Sequence, residues 1–591
     1  MPDLPRSEYP RPDCVRAQWL CLNGPWRFAF DDAHRGLREQ WYNRSEPFEH
    51  VITVPFAYQT PLSGINVQDH HPVAWYKRDL TIPQEWGGKR ILLHFGAVDY
   101  KATVWVNGQF VGEHEGGYVP FYFDITDYLA SNGNEVTVRV EDDVRFNQPR
   151  GKQSARKESW ACWYTPVTGI WQSVWLEPVA QTHLTQLHMV PDIDTETLTV
   201  HYWLSELPEN LSLELIASAE GREIIKQIVP VPPRFVRWSD IKPLQRGHCT
   251  LVIPQPQYWS PESPFLYDLT IRVKVAGEVV DEVGTYFGMR KVHAERGQVF
   301  LNNRAYYQRL VLDQGYWEEG LYTAPTHEAI RQDVEQTKAM GFNGARKHQK
   351  IEDPYYYYYA DKLGLLVWSE MPACYEYDEE GAERLRREWI QAVKRDRNHP
   401  CIIAWTPLNE SWGVDQLQRR KQTQIISYML ELYHLTKSLD PTRLVISNDG
   451  WQHALTDLLT IHEYTQDPTD LKRRLEAFSQ NPHAAVFSHG VYTLLQEFPY
   501  NGAPILVTEF GGTRVEAQGS KGWGYGDAVS DYDAWVERIG RLVAAVTSRP
   551  DIVGYCYTQL TDVKQEVNGL LTAEHAPKVD PEKLKAAFVG R

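Results

Sequence analysis

No stretch of the chain approaches the ~18–20 consecutive apolar residues that a membrane-spanning helix requires, which excludes a protein embedded by such helices. Basic runs of five or more are also missing. Lys+Arg number 61 against 77 Asp+Glu, a formal charge of −16, the wrong sign for a nucleic-acid-binding surface. Cysteine is sparse: seven residues, at 14, 21, 162, 249, 374, 401 and 556, with no CxxC pair and no zinc-type spacing. That pattern predicts reduced, structural thiols and fits a cytosol. The amino terminus, MPDLPRSEYPRPDC, lacks the apolar core of a secretory signal, which again points to a cytoplasmic location. No GxGxxG or P-loop follows any candidate strand, so dinucleotide and nucleoside-triphosphate binding are set aside.

Aromatic residues are abundant instead: 21 tryptophans and 33 tyrosines in 591 residues. Such side chains pack large β-sandwich cores, and their flat faces also stack on sugar rings. From Trp26 to Glu177 the text is short strands and turns, among them Arg90–Gly96, Ala102–Val106 and Glu135–Val140. Asn107-Gly108 is a two-residue hairpin signal, because both residues tolerate positive φ. A second strand-rich block, with Leu198–Leu204, Leu211–Ala217, Cys249–Ile253 and Leu269–Val275, has the length of an immunoglobulin-like sandwich.

After Gly297 short apolar strands alternate with helices. Strands are expected at Ala305–Val311, Phe342–Arg346, Leu365–Trp368, Cys401–Trp405, Leu444–Ser447, Leu458–His462, Ile505–Thr508 and Ile552–Tyr557. Eight such units predict a (β/α)8 barrel buried on both faces. The expected architecture is therefore multidomain: a jelly-roll β-sandwich over residues 1–179, an immunoglobulin-like β-sandwich over 180–291, and a TIM barrel over 292–591. The tyrosine run Tyr355–Tyr359 is expected to wrap around a helix as packing and surface groups.

In such a barrel, chemistry sits at the carboxyl ends of the strands. Those ends read Asp313, Arg346 and His348, Glu370, Asn409-Glu410, Asn448-Asp449, His462-Glu463-Tyr464, Glu509, and Gln559 with Asp562. Converging carboxylates suit hydrolysis of a glycosidic bond, which needs one protonated carboxyl at the leaving oxygen and one carboxylate at the anomeric carbon. CIIAWTPLNESW and APILVTEFGG place Glu410 and Glu509 past the fourth and seventh strands.

On these motifs the sequence resembles glycoside hydrolase family 2, the group of β-galactosidases, β-glucuronidases and β-mannosidases. Further matches are Asn23-Gly24-Pro25-Trp26, Val104-Trp105-Val106-Asn107-Gly108, Gly169-Ile170-Trp171-Gln172, Phe287-Gly288-Met289-Arg290-Lys291, Gly341-Phe342-Asn343, Arg397-Asn398-His399-Pro400 and Thr508-Glu509-Phe510-Gly511. The resemblance implies that Glu410 is the general acid/base, that Glu509 is the nucleophile of a retaining mechanism, and that Asn409 bonds the sugar 2-hydroxyl. It makes Tyr464 a hydrogen-bond donor to Glu509, or else a packed aromatic. Arg346 orients Glu509 or forms a structural ion pair. Asp313, His348 and Trp412 are candidate substrate contacts. Trp523, in the Gly-rich loop Gly519–Gly526, either lines the sugar site or packs between domains. Gln559, preceded by Thr558 where relatives carry Trp-Asn, forms a wall of that site.

The resemblance implies an exo-acting β-glycosidase; the family's large metal-dependent β-galactosidases carry further domains, so no metal and no cofactor are expected here. Its partner is a glycoside or oligosaccharide substrate, neither nucleic acid nor membrane, and homo-oligomers are compatible with it. The loop after the last strand reads Glu566-Val567-Asn568 and lacks the lysine by which the family's β-glucuronidases hold a sugar carboxylate. That contact is worth about 1.5–3 kcal/mol, so a β-galactoside is the first expectation. A β-glucuronide, held by another cation such as Arg514 or Lys521, and a β-glucoside or β-pentoside are alternatives. A transglycosylase or a non-catalytic sugar-binding protein shares the scaffold.

Overall fold

The computed structural model describes residues 4–232, 246–415, 417, 422–483, 490–516 and 522–590. The amino-terminal part is an antiparallel sandwich. One sheet has six strands, ordered His50–Val54, Gly24–Phe30, Val73–Leu80, Asn134–Glu141, Lys101–Val106 and Gln109–Glu115. The facing sheet has four: Leu20–Cys21, Val174–Val179, Arg90–Phe95 and Phe121–Asp124. Trp26, Phe28, Val104 and Val138 pack with Leu93, Phe95 and Leu176 in one core between them. Asn107 and Gly108 both have positive φ, 52° and 74°, and close the hairpin that their sequence predicts. A side chain at position 108 would also collide with Asn43.

The second sandwich packs Leu184–Asp192, Thr197–Leu204 and Arg246–Val252 against Arg222–Pro230, Leu211–Ala219, Tyr267–Val275 and Glu278–Phe287. Strict alternation of buried and half-buried positions along Thr197–Leu204 explains why it is a strand. A three-stranded meander, Val292–Glu295, Gln298–Leu301 and Arg304–Ala305, then leads into the barrel.

The barrel strands are β1 Gln308–Asp313, β2 Gly344–Lys347, β3 Leu366–Glu370, β4 Ile402–Thr406, β5 Leu444–Val445, β6 Leu459–His462, β7 Ile505–Gly511 and β8 Ile552–Thr558. They pair in parallel in the order β5-β4-β3-β2-β1-β8-β7-β6. Asp457 bridges the remaining gap: its N–H donates to the Val445 carbonyl at 2.9 Å, and its carboxylate accepts from Val445 N at 2.8 Å. Ala305, expected in the first strand, belongs to the meander instead. Barrel pairing begins at Gln308, whose side-chain oxygen accepts from the Trp368 indole on β3 at 2.8 Å.

The helices are α1 His327–Ala339, α2 Pro354–Leu363, α3 Glu379–Asp396, α4 Gln422–Leu439, α5 Pro468–Gln480, α6 Tyr532–Thr547 and α7 Pro581–Val589. Thr326 caps α1, accepting from Ala329 N, as its position before the apolar stripe requires. Helix α3 starts at Glu379, because Asp378 supplies the cap and Glu379 and Glu380 favour the positive end of the helix dipole. On α2, Tyr356 and Tyr357 are buried while Tyr355, Tyr358 and Tyr359 are half-buried, the all-round distribution expected of five adjacent helical positions.

Candidate active site

Glu410 follows β4 on a strap with unusual backbone. Glu410 and Ser411 have φ of 51° and 60°, a region that side chains other than glycine and asparagine enter at a cost. Three hydrogen bonds hold the strap there. Glu410 N donates to the Asp449 carbonyl at 2.9 Å, Ser411 N to Asn448 Oδ1 at 2.9 Å, and Trp412 N to the Asn409 carbonyl at 2.9 Å. The segment after β5 thus dictates where the Glu410 carboxyl points.

Glu509 stands in the middle of β7 and is almost fully buried. Arg346 Nη1, from β2, lies 2.9 Å from its Oε1, and the Tyr464 hydroxyl donates to Oε2 at 2.5 Å. His462, at the end of β6, sits between the two glutamates, with Nδ1 2.7 Å from Glu410 and 3.5 Å from Glu509. Its Nε2 faces Asp449 at 3.3 Å. One donor atom from each of Glu410, His462 and Glu509 falls within 4.8 Å of the other two.

The electrostatics follow from these contacts. Burial alone would lower the His462 pKa, but Glu509, Asp449 and Glu410 outweigh it and carry the imidazole to about 10, so it is a cation at neutral pH. For Glu509 burial works the other way, and His462 and Arg346 overcome it, holding the carboxyl below its ordinary range. Glu370, buried beneath Arg346, is pushed up to about 7, with burial outweighing the attraction of Arg346. The tight O,O,N cluster is therefore balanced by protein cations: with His462 charged, both of its ring nitrogens carry protons toward carboxylates.

Arg346 is the hub of the floor. It is fully buried, with Nε 2.8 Å from Glu370 and 2.9 Å from Asp449, and Nη2 donating to Asn409 Oδ1 at 2.6 Å. Since the Asn409 oxygen is occupied, its amide Nδ2 is left buried with no partner among the described residues. That donor is suited to a ligand hydroxyl, because a buried N–H left unpaired is costly.

The other nominated residues fall in three places. His348 lies beneath the floor, its Nδ1 3.1 Å from Arg346 and 2.9 Å from Glu370, and burial first of all keeps it far below the usual histidine range. Trp412 forms a wall, stacked on Trp163 of the jelly-roll domain at 5.3 Å. Trp523 meets Tyr525 edge-on at 5.4 Å and donates to the Ala161 carbonyl at 2.7 Å, so it touches both the site wall and the neighbouring domain. Asp313 and Gln559 are engaged elsewhere in the barrel mouth. The Asp313 carboxylate takes Lys347 at 2.7 Å and Gly315 N at 2.8 Å, and Gln559 bridges Gln314 and Asn568 at 2.9 and 2.8 Å. Lys521 and residues 519–520 of the Gly-rich loop lie outside the described residues.

Four groups at the site were given no role by the sequence. His462 and Asp449 carried a signal, since both stand at strand ends in the acidic series. Tyr525, stacked on Tyr464 with ring centroids 3.5 Å apart, and Trp163, about 250 positions before the barrel's Trp412, carried none.

The sequence model described as "Glycosyl hydrolases family 2, sugar binding domain" matches residues 20–178, "Glycosyl hydrolases family 2" matches 182–290, and "Glycosyl hydrolases family 2, TIM barrel domain" matches 295–588. Among curated relatives, a β-galactosidase of Thermoanaerobacter pseudethanolicus is 27% identical over 422 residues, 69% of this chain and 52% of that protein. A β-glucuronidase of Paenibacillus borealis is 23% identical over 530 residues, 84% and 83% of the two chains. The chain thus spans about half the length of the former relative. Among solved structures, Bacteroides uniformis β-glucuronidase superposes with a TM-score of 0.78 at 20% identity, covering 97% of this chain and 69% of that one. Ruminococcus gnavus β-glucuronidase does so at 0.78 and 18%, covering 99% and 100%. Three matches in the family's domain order, spanning nearly all of the sequence, establish that the chain belongs to glycosyl hydrolases family 2.

Proposed function

We propose that the protein is a retaining exo-β-glycosidase, with Glu509 as nucleophile and Glu410 as general acid/base. The observation that carries this reading is the pair of glutamates, one just past β4 and one within β7, in different settings, with a carboxylate oxygen of each no more than 4.8 Å from the other's. A retaining pair is separated by about 5–5.5 Å, whereas an inverting pair needs about 6.5–9.5 Å to admit a water molecule. Arg346, His462 and Tyr464 keep Glu509 ionised and aimed, ready to attack the anomeric carbon. Glu410, less buried and held out on its strap, protonates the departing oxygen. Once Glu509 is esterified its charge is gone, and Glu410 takes a proton from the water that releases the sugar. Asn409 Nδ2 donates to a hydroxyl of the ring. The side chains of Glu410 and Glu509 are only 17% and 7% exposed, which suits a chain end rather than an internal segment. The names of the relatives support both a β-galactoside and a β-glucuronide.

The test is hydrolysis of aryl β-galactoside, glucoside, glucuronide, mannoside, xyloside and α-L-arabinopyranoside, followed by NMR of the first sugar released. We expect turnover of at least one, with the β-anomer of a β-glycoside appearing first. First release of the opposite anomer, α from a β-glycoside or β from the α-L-arabinopyranoside, would overturn the retaining assignment, and a blank panel would overturn the hydrolase.

His462 gives a second check. Replacing it by asparagine removes a cation 3.5 Å from Glu509, so the nucleophile should bind protons more readily. The acid limb of kcat/KM should move upward by roughly one to three pH units. An acid limb that stays in place would sink the role assigned to His462. Stability carries the same signature. The folded pKa of about 10 lies above the unfolded value of about 6.5, so the contribution of His462 is full below 6.5 and lost as pH rises toward 10. The difference in Tm between wild type and His462→Asn should shrink over that window.

A further inference from the structure

The jelly-roll domain sends one more charged group into this site. Lys152 follows Gly151, whose N–H donates to the Ala373 carbonyl of the barrel at 3.1 Å, and the Lys152 carbonyl accepts from Tyr164 N at 2.8 Å. The residue is only 7% exposed, and Nζ lies 4.7 Å from the centre of the Trp412 ring, two positions past Glu410. Trp163 stacks on the same ring at 5.3 Å. Among the described residues Nζ makes no hydrogen bond and no ion pair. The nearby acids are engaged with other groups: Glu566 accepts from the Tyr164 hydroxyl at 2.6 Å and from Asn568 Nδ2 at 3.1 Å, and Glu509 is held by Arg346 and Tyr464.

An ammonium buried with no anion is costly, and the face of one indole replaces little of the water it has lost. Burial works against its charge, yet the Cys162 thiol and the carboxylates of Glu566, Glu410 and Glu509 hold Lys152 above the ordinary lysine value. It is therefore a cation, kept in place by a tryptophan face, with the two glutamates near enough to act on its charge. The inner network does not need it: Arg346 and His462 already oppose Glu509 and Asp449.

We propose that Lys152 is the anion-recognition group of this site, and that the sugar it selects carries a negative substituent, either the carboxylate of a hexuronide or a sulfate ester. A compact point charge on a flexible stem accommodates either group. The cation absent from the loop after β8 is thus supplied by another domain. The inference rests on Glu410 and Glu509 marking where the sugar binds.

Calorimetric titration of the full-length protein with D-glucuronate, glucose 6-sulfate, glucose and galactose tests it without turnover. At least one acidic sugar should bind about tenfold or more tighter than the neutral pair, and the two acids separate carboxylate from sulfate recognition. In Lys152→Met the acidic-to-neutral ratio should fall by roughly 10- to 150-fold, with part of it kept in Lys152→Arg. Neutral sugars binding as tightly as both acids in the wild type, or a ratio that Lys152→Met leaves unchanged, overturns the proposal. Should Lys152→Met fail to fold, the wild-type preference and Lys152→Arg decide alone. Acid-selective binding by a protein that hydrolyses nothing would remove the catalytic reading and leave this one. Hydrolysis of neutral glycosides with no acid preference in binding would do the reverse.

Discussion

Glu509→Ala is expected to lower turnover of any aryl β-glycoside substrate by roughly 10^4- to 10^6-fold, the scale reached when a catalytic nucleophile is deleted. The structure adds a consequence. Arg346, fully buried, and the His462 cation both lose a counter-ion, and breaking a buried ion pair costs about 3–5 kcal/mol. The variant should therefore be less stable as well as inactive, and Glu509→Gln, which keeps an acceptor for Arg346, should recover much of the lost Tm without recovering activity. The vacated space remains flanked by Arg346, His462 and the Tyr464 hydroxyl, a setting for a small anion. Added azide should enter there, attack the anomeric carbon and restore part of the rate on activated substrates, with the α-glycosyl azide as product. Near-normal turnover in Glu509→Ala, or a β-configured azide, would overturn the nucleophile assignment.

Much of this site is legible in the amino-acid sequence, for reasons that also explain what is not. Strands such as Ile402–Thr406 and Ile552–Thr558 are buried at every position, so they stand out as apolar runs ending in polar residues. Glu410 and Glu509 can be found because each directly follows or ends such a run. The boundary of β1 is less visible, because Ala305–Val311 reads as one run, and only the pairing of Gln308 with β8 and its contact to Trp368 mark where the barrel begins. The left-handed backbone at Glu410 and Ser411 has no local cause, since neither residue prefers positive φ; bonds to Asn448 and Asp449 impose it. Lys152 and Trp163 lie beyond any reading of spacing, because they reach the site through docking of one domain on another. A lysine in a sandwich loop looks like any solvated charge until its surroundings are known.

The electrostatic layout gives the two glutamates different work. Every cation of the floor addresses Glu509: Arg346 directly, and His462 at 3.5 Å, while Tyr464 adds a neutral donor. Arg346 also contacts Glu370, Asp449, His348 and Asn409, so on the proposed reading the group that aims the nucleophile also positions the amide facing the sugar. On the proposed reading, one arginine thereby couples charge at the nucleophile to the orientation of substrate, and giving and taking a proton falls to the carboxyl on the strap.

Glu410→Ala should separate substrates by their leaving groups. A departing alkoxide needs a proton in the transition state, whereas a nitrophenolate needs little help, and general acid catalysis contributes about 10^2- to 10^4-fold where it is required. The loss in kcat/KM should therefore lie in that range for alkyl glycosides and oligosaccharides and be far smaller for activated aryl glycosides. On the activated substrates the second step should become limiting, because Glu410 also deprotonates the attacking water, so kcat and KM should fall together and the glycosyl-enzyme should accumulate. Azide needs no base. It should relieve that step and give a glycosyl azide of β configuration, the opposite stereochemistry to Glu509→Ala, because two inversions have occurred instead of one. An equal loss on both kinds of substrate would count against the acid role, and an α-azide would place the two glutamates in exchanged roles.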